Sequence, residues 1–110
     1  MVLICGDEEA HKAMQADDSF LANCHAWSDE MRRRGVLMSL EGLQAPDDAT
    51  IVRRRGDQVL LTDGPFADTK EVMGGFGLIE CADLDEAIEV ASRHPAASYG
   101  MIEVRPLIQA

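Results

Sequence analysis

Two β-rich segments, Thr50 to Arg55 and Gln58 to Thr62, are separated only by Gly56-Asp57. A two-residue link joins antiparallel strands, because a parallel pair needs a crossover of a dozen residues or more. Glycine supplies the positive φ that such a tight loop requires. The middle of the chain is therefore expected to be an antiparallel β-hairpin, and the remaining elements have to be arranged around it.

The flanking sequence supplies those elements. Val2 to Cys5 is a short apolar run ending at Gly6, consistent with a buried strand, and an acidic loop with Asp7-Glu8-Glu9 follows. Phe20, Leu21, Cys24, Trp27 and Met31 recur at helical spacing, with Asp17, Asp18 and Ser19 as N-cap candidates, arginines in the last turn and Gly35 as the stop. Val36 to Leu40 reads as a strand leading to Glu41-Gly42-Leu43, and Pro46-Asp47-Asp48 marks a turn. After the hairpin come Asp63-Gly64-Pro65-Phe66 and a polar link, and Gly74-Gly75 introduces a strand from Phe76 to Cys81. Asp83 with Glu86 three positions on forms a capping box for a second helix, whose apolar face is Leu84, Ala87, Ile88 and Ala91 and which ends at His94-Pro95. Gly100 to Arg105 supplies a last strand before Pro106.

This order predicts an α+β fold: a split βαβ arrangement with an inserted hairpin, two helices packed on one face of an antiparallel sheet. With 110 residues the chain makes one domain, 1–110, large enough to bury about two thirds of its unfolded surface. An apolar fraction of 46% against 27% charged residues places it among folded globular proteins. Several strands are apolar on both sides: Val36, Met38 and Leu40 oppose Leu37, while Phe76 and Leu78 oppose Ile79 and Cys81. A sheet with one face in water alternates apolar with polar residues. With no further helix to cover the second face, a homodimer with sheets facing is expected.

A formal charge of -10 repels phosphate backbones and anionic lipid, which argues against nucleic-acid or membrane partners. Six of the ten basic residues nevertheless form two triplets, Arg32-Arg33-Arg34 and Arg53-Arg54-Arg55. The first suits the C-terminal turn of a helix, where cations complement the dipole, or an anion site. Cys5, Cys24 and Cys81 are odd in number and lack C-x-x-C spacing, so buried free thiols in a reducing compartment are expected, with a nucleophilic cysteine as the alternative. The N-terminal apolar run is too short for a signal peptide or a span, which points to the cytoplasm.

The run Leu61 to Glu71, followed by Gly74-Gly75-Phe76, resembles the signature of the YCII-related family in its DGPF-domain branch. Gly35-Val36-Leu37, Glu41-Gly42-Leu43-Gln44, Asp85-Glu86-Ala87, His94-Pro95 and Glu103-Val104-Arg105-Pro106 are similar to it as well, so the resemblance spans nearly the whole chain. It implies a ferredoxin-like fold dimerising as an α/β barrel. It further implies either an enzymatic role through an Asp and His pair in a cleft, with Asp63 the matching aspartate, or an association with sigma-factor systems.

In chemical terms, Asp63 ends a strand near the backbone amides of Gly64 and Phe66, and Asp-Gly-Pro is good turn chemistry in its own right. His25 flanks the apolar face of the first helix, His94 suits a capping role, and His11 falls in the acidic loop. Asp63 with His25 is the candidate acid/base pair, supported by Ser39 and Glu41 on the neighbouring strand and by Gly64 and Phe66 at the turn. Three scattered histidines give no metal-ligand spacing, the polar link lacks a phosphate-loop pattern, and no cofactor is implied. Two functions are left open: binding of a small polar metabolite in a cleft at the dimer sheet face, with or without acid/base catalysis, and a non-enzymatic interaction module of a sigma-factor system.

Overall fold

The computed structural model describes residues 1–64 and 71–108. In chain order its elements are β1 (Val2–Asp7), α1 (Glu8–Ala16), α2 (Phe20–Arg33), β2 (Leu37–Gly42), β3 (Thr50–Arg55), β4 (Gln58–Asp63), β5 (Glu71–Ile79), α3 (Leu84–Ser92) and β6 (Met101–Val104), with short 3-10 turns at Pro46–Asp48 and Pro95–Ser98. Four strands form one antiparallel sheet in the order β2-β5-β1-β6, and β3 with β4 forms a separate hairpin. The α+β class and the inserted hairpin match expectation. Gly56 has φ 60 and no other non-terminal loop residue of the hairpin needs a positive value, as in a type II′ turn.

The helix count does not match, because the stretch read as an acidic loop is α1. Its start is well specified: Asp7 Oδ1 accepts from the Ala10 amide at 2.8 Å, and Glu8 and Glu9 occupy the first turn, where negative charge favours the helix N-terminus. Its apolar stripe is thin, with Ala10 the one buried residue, so periodicity alone did not reveal it. Among the described residues three helices, not two, therefore accompany the sheet.

Alternation along the paired strands sorts side chains onto two faces. Leu37 and Ile79 are direct register partners and pack together with Trp27 and Met31 of α2 and Val90 of α3, so both helices cover that face. Gly77 lies on the same face, where a Cβ would meet Leu40 at 3.1 Å and Val2 at 3.3 Å. Register places Leu3, Phe76, Leu78, Met73 and Met101 on the opposite face, with Ser39, Glu41 and Glu103 among them. The cluster formed with α2 and α3 lies on the first face; on the second, Met73 and Met101 are exposed while Leu3 is buried.

The capping box of α3 is present with one change of partner. Asp83 Oδ1 accepts from the Glu86 amide at 2.8 Å, while Glu86 Oε1 reaches back one residue further, accepting from Ala82 N at 3.0 Å. Arg34 closes α2 and forms an ion pair with Glu89 of α3 at 3.0 Å, so the first arginine triplet belongs to a helix end and its neighbour. The strand expected to start at Phe76 begins at Glu71 and carries Gly74-Gly75 inside it. Met73 pairs with Cys5 and Gly75 with Ile4, which leaves Gly74 as the extra residue of a β-bulge. No helix among the described residues is long and apolar enough to cross a membrane.

Candidate functional site

A concavity of about 1270 Å³ crosses the end of the sheet between α1, the start of α2 and the loop following β2. Its lining includes His11, Lys12, Phe20, Cys24, Leu40 and Glu41, and the bulge glycines Gly74 and Gly75 lie in it as well. The bulge explains how His11 is seated. A Cβ at Gly74 would stand 3.1 Å from His11 Cε1, and one at Gly6 would stand 3.6 Å from His11 Cδ2. The imidazole thus lies against two glycine backbones, one from β5 and one from β1. Its Nε2 is buried and has no hydrogen-bond partner among the described residues, an arrangement that costs free energy unless a further group satisfies it. The sequence reading puts His11 in an acidic loop; the helix that carries it and the bulge that receives it reverse that reading.

The walls of the groove are acidic: Asp7, Glu8, Glu9, Glu41 and Asp47 face a single lysine, Lys12, which pairs with Glu8 at 3.3 Å. Apolar patches from Ile4, Met14, Phe20 and Leu43 lie between them. Cys24 is half-buried, and burial pushes its thiol above the ordinary value, which keeps it protonated at neutral pH rather than nucleophilic. Burial acts first on Cys81 in the same direction, reinforced by Glu86. The three cysteines form no disulfide, and each is half-buried rather than fully enclosed.

His94 also borders the groove, yet its role is architectural. Its Nδ1 accepts from the Ala96 amide at 3.0 Å, capping the turn at Pro95–Ser98, and its ring meets Trp27 edge-on with centroids 4.8 Å apart. Burial lowers its pKa to about 4, so it is neutral at physiological pH. The capping role read from His94-Pro95 is thus present, applied to the turn after the helix.

The other candidate residues are distributed differently. Glu41 lines the groove, whereas Ser39 does not; register puts both on the open face of the sheet. Asp63 ends β4 opposite Thr50 and is exposed, and Gly64 donates its amide to Ala49 O at 2.8 Å, tying the base of the hairpin. His25 is exposed on α2. Neither Asp63 nor His25 lines the groove. Phe66, Pro65 and the polar link to Lys70 lie outside the described residues. Among the described residues no group of three or more histidine, cysteine, aspartate or glutamate side chains is placed to hold a metal ion.

Sequence reasoning passed over His11, although two signals for it were present. Asp7 followed by two glutamates is an N-cap with an acidic first turn, and a glycine pair inside an apolar strand pattern signals a bulge or a close backbone approach.

Residues 1–110 match the family model described as the YCII-related domain. Over 110 residues the chain is 36% identical to an uncharacterised protein of Rhizobium meliloti (strain 1021), an alignment covering 96% of this chain and 89% of that protein.

Proposed function

This chain belongs to the YCII-related domain family, and from that premise we propose that it is a homodimeric, ferredoxin-like protein of the DGPF branch that binds a small polar metabolite in the groove beneath α1. The observation that carries the reading is the His11 imidazole, seated on Gly6 and Gly74 with a buried, unpartnered Nε2 in a groove that Glu41 shares. A polar ligand supplies the missing hydrogen bond. His11 and Glu41 both line the groove, and an imidazole and a carboxylate that contact one bound substrate can transfer protons, so these two are the acid/base candidates within one protomer. Asp63 and His25 stand outside the groove and take part only if the dimer brings them to it.

Dimerisation through the open face follows from its composition. Register puts Phe76, Leu78, Met73 and Met101 on that face, Met73 and Met101 exposed and Phe76 and Leu78 half-buried, and association would withdraw them from water. Glu41 lies on that face by register and lines the groove, which supports a groove whose edge borders the partner.

Native mass spectrometry of the gently purified protein tests ligand binding. The expected result is a small-molecule adduct held by the wild type and lost in His11→Ala. Equal retention by wild type and His11→Ala removes the groove from the proposal, and unchanged retention by Asp63→Asn removes that carboxylate. Light scattering coupled to size exclusion tests assembly: a stable monomer at micromolar concentration ends the dimer reading. The alternative of an interaction module in a sigma-factor system draws on one observation, the exposed β3–β4 hairpin, and loses its basis if co-purification from native cells recovers no protein partner.

A further inference from the structure

The β3–β4 hairpin is anomalous as part of a monomer. Among the described elements its two strands pack on each other and on little else. The Cα radius of gyration is 16.0 Å, against about 13 Å for a compact chain of this length. An isolated two-stranded hairpin is marginally stable in water, yet this one exposes an apolar face. Val52 pairs directly with Leu61 and Arg54 with Val59, so Val52, Val59 and Leu61 share one side; they are 64%, 61% and 68% exposed. The same arm carries Arg53, Arg54 and Arg55, three of the ten basic residues of a molecule with formal charge -10. Among the described residues, Arg54 and Arg55 donate side-chain hydrogen bonds to backbone carbonyls of the arm itself, at Gly56 and Arg54.

We propose that this hairpin is a docking arm whose occupant is a second copy of this chain, with the Val52, Val59 and Leu61 side packed on the partner protomer and the arginines set against the acidic first turn of its α1. The argument rests on charge complementarity. The arm is a basic, apolar projection on an acidic body, and Glu8 and Glu9 are exposed at the rim of the groove. Like copies therefore present opposite charges to each other at arm and rim, which a two-fold axis satisfies twice. The arm so placed borders the partner's groove and encloses a ligand that the groove of one protomer leaves open. This inference rests on the homodimer reading above and adds to it which segment crosses between protomers.

Sedimentation velocity across a dilution series, at low and high salt, tests it on the full-length protein. Two arm variants are used, Val52→Ser with Val59→Ser and Leu61→Ser, and Arg53→Glu with Arg54→Glu and Arg55→Glu. All are surface substitutions, and circular dichroism checks the fold. Each set is expected to weaken the dimer by at least about tenfold. Adding Glu8→Lys and Glu9→Lys to the arginine-reversed arm is expected to restore most of the loss, and raised salt to weaken the wild type. Dimer affinity unchanged in both arm variants, in a protein whose dimer is broken by Leu78→Lys on the sheet face, overturns the arm while leaving the dimer standing. A wild type that is monomeric at all concentrations overturns both. Loss in the arginine variant without recovery on adding the two lysines overturns the pairing with α1.

Discussion

The indole Nε1 of Trp27 donates to the carbonyl oxygen of Val90 at 3.0 Å, joining α2 to the last turn of α3 across 63 residues of sequence. Both residues are buried, and Val90 has no exposed surface. The same carbonyl accepts from Arg93 N at 3.3 Å, so it stands at the point where α3 ends. Trp27→Phe removes the buried donor and about a third of the ring volume while leaving the carbonyl one partner. The expected loss is about 2 kcal/mol, read as a lower urea midpoint by far-UV circular dichroism. An unchanged midpoint would mean that the bond contributes nothing beyond what water supplies in the unfolded chain.

His94 predicts a pH dependence of definite sign. Its folded pKa, about 4, lies below the ordinary 6.5 because burial disfavours the imidazolium. The unfolded chain therefore binds the proton more readily, and acid favours unfolding. Stability from this group is complete above pH 6.5 and falls as the pH drops from there toward 4. His94→Asn keeps a side-chain acceptor for the Ala96 amide and removes the titration. Its thermal midpoint is expected to lose the part of the slope that falls in that window, compared with the wild type in parallel scans.

Gly100 marks a place where backbone meets backbone. A Cβ there would stand 2.2 Å from Cys5 O and 3.0 Å from Gly6 Cα, and neither atom is the end of a flexible side chain. Gly100→Ala forces β1 and the start of β6 apart, and a loss of about 3 kcal/mol or more is expected. Gly42→Ala, where nothing lies within 4 Å of the added carbon, serves as the control and is expected to stay within about 0.5 kcal/mol of wild type. Similar midpoints for the two would contradict the close approach.

The bulge glycine gives a subtler test. A methyl group at Gly74 would press on His11 Cε1 at 3.1 Å, the edge of an imidazole on a short helix. Gly74→Ala is expected to shift His11 rather than unfold the chain, costing about 1 kcal/mol. Two-dimensional NMR of the His11 ring protons should report displacement, and ligand adducts seen by native mass spectrometry should fall with it. An undisturbed His11 signal would show that the ring is not held against the bulge.

Capping of α3 can be separated into its two arms. Asp83→Ala removes the 2.8 Å bond to the Glu86 amide and is expected to cost about 1 kcal/mol. Glu86→Ala removes the acceptor for Ala82 N and should cost less, since that amide lies on an exposed turn. Urea unfolding of both variants in parallel decides the order.

Local chemistry made much of the fold legible. The Gly56-Asp57 link fixed the hairpin, Asp83 with Glu86 fixed the start of α3, and Gly35 fixed the end of α2, because turns and caps depend on residues within a few positions of one another. The apolar residues on both sides of β2 and β5 likewise announced a sheet with apolar side chains on both faces. The helix α1 escaped, since it is short, its apolar positions are mostly alanines, and it buries only Ala10.

What tertiary structure alone decided is the site. His11 belongs to the groove because a bulge at Gly74, created by the register of β5 against β1, opens a seat for its ring. Register is a property of two strands 70 residues apart and is not written in either. For the same reason sequence could name Asp63 and His25 as chemically apt, yet only folding determined that Glu41 shares a groove with His11 while those two stand outside it. The sequence by itself determined elements and the chemistry available to each; packing distances, set by where glycine lets backbones approach, determined which of those groups meet.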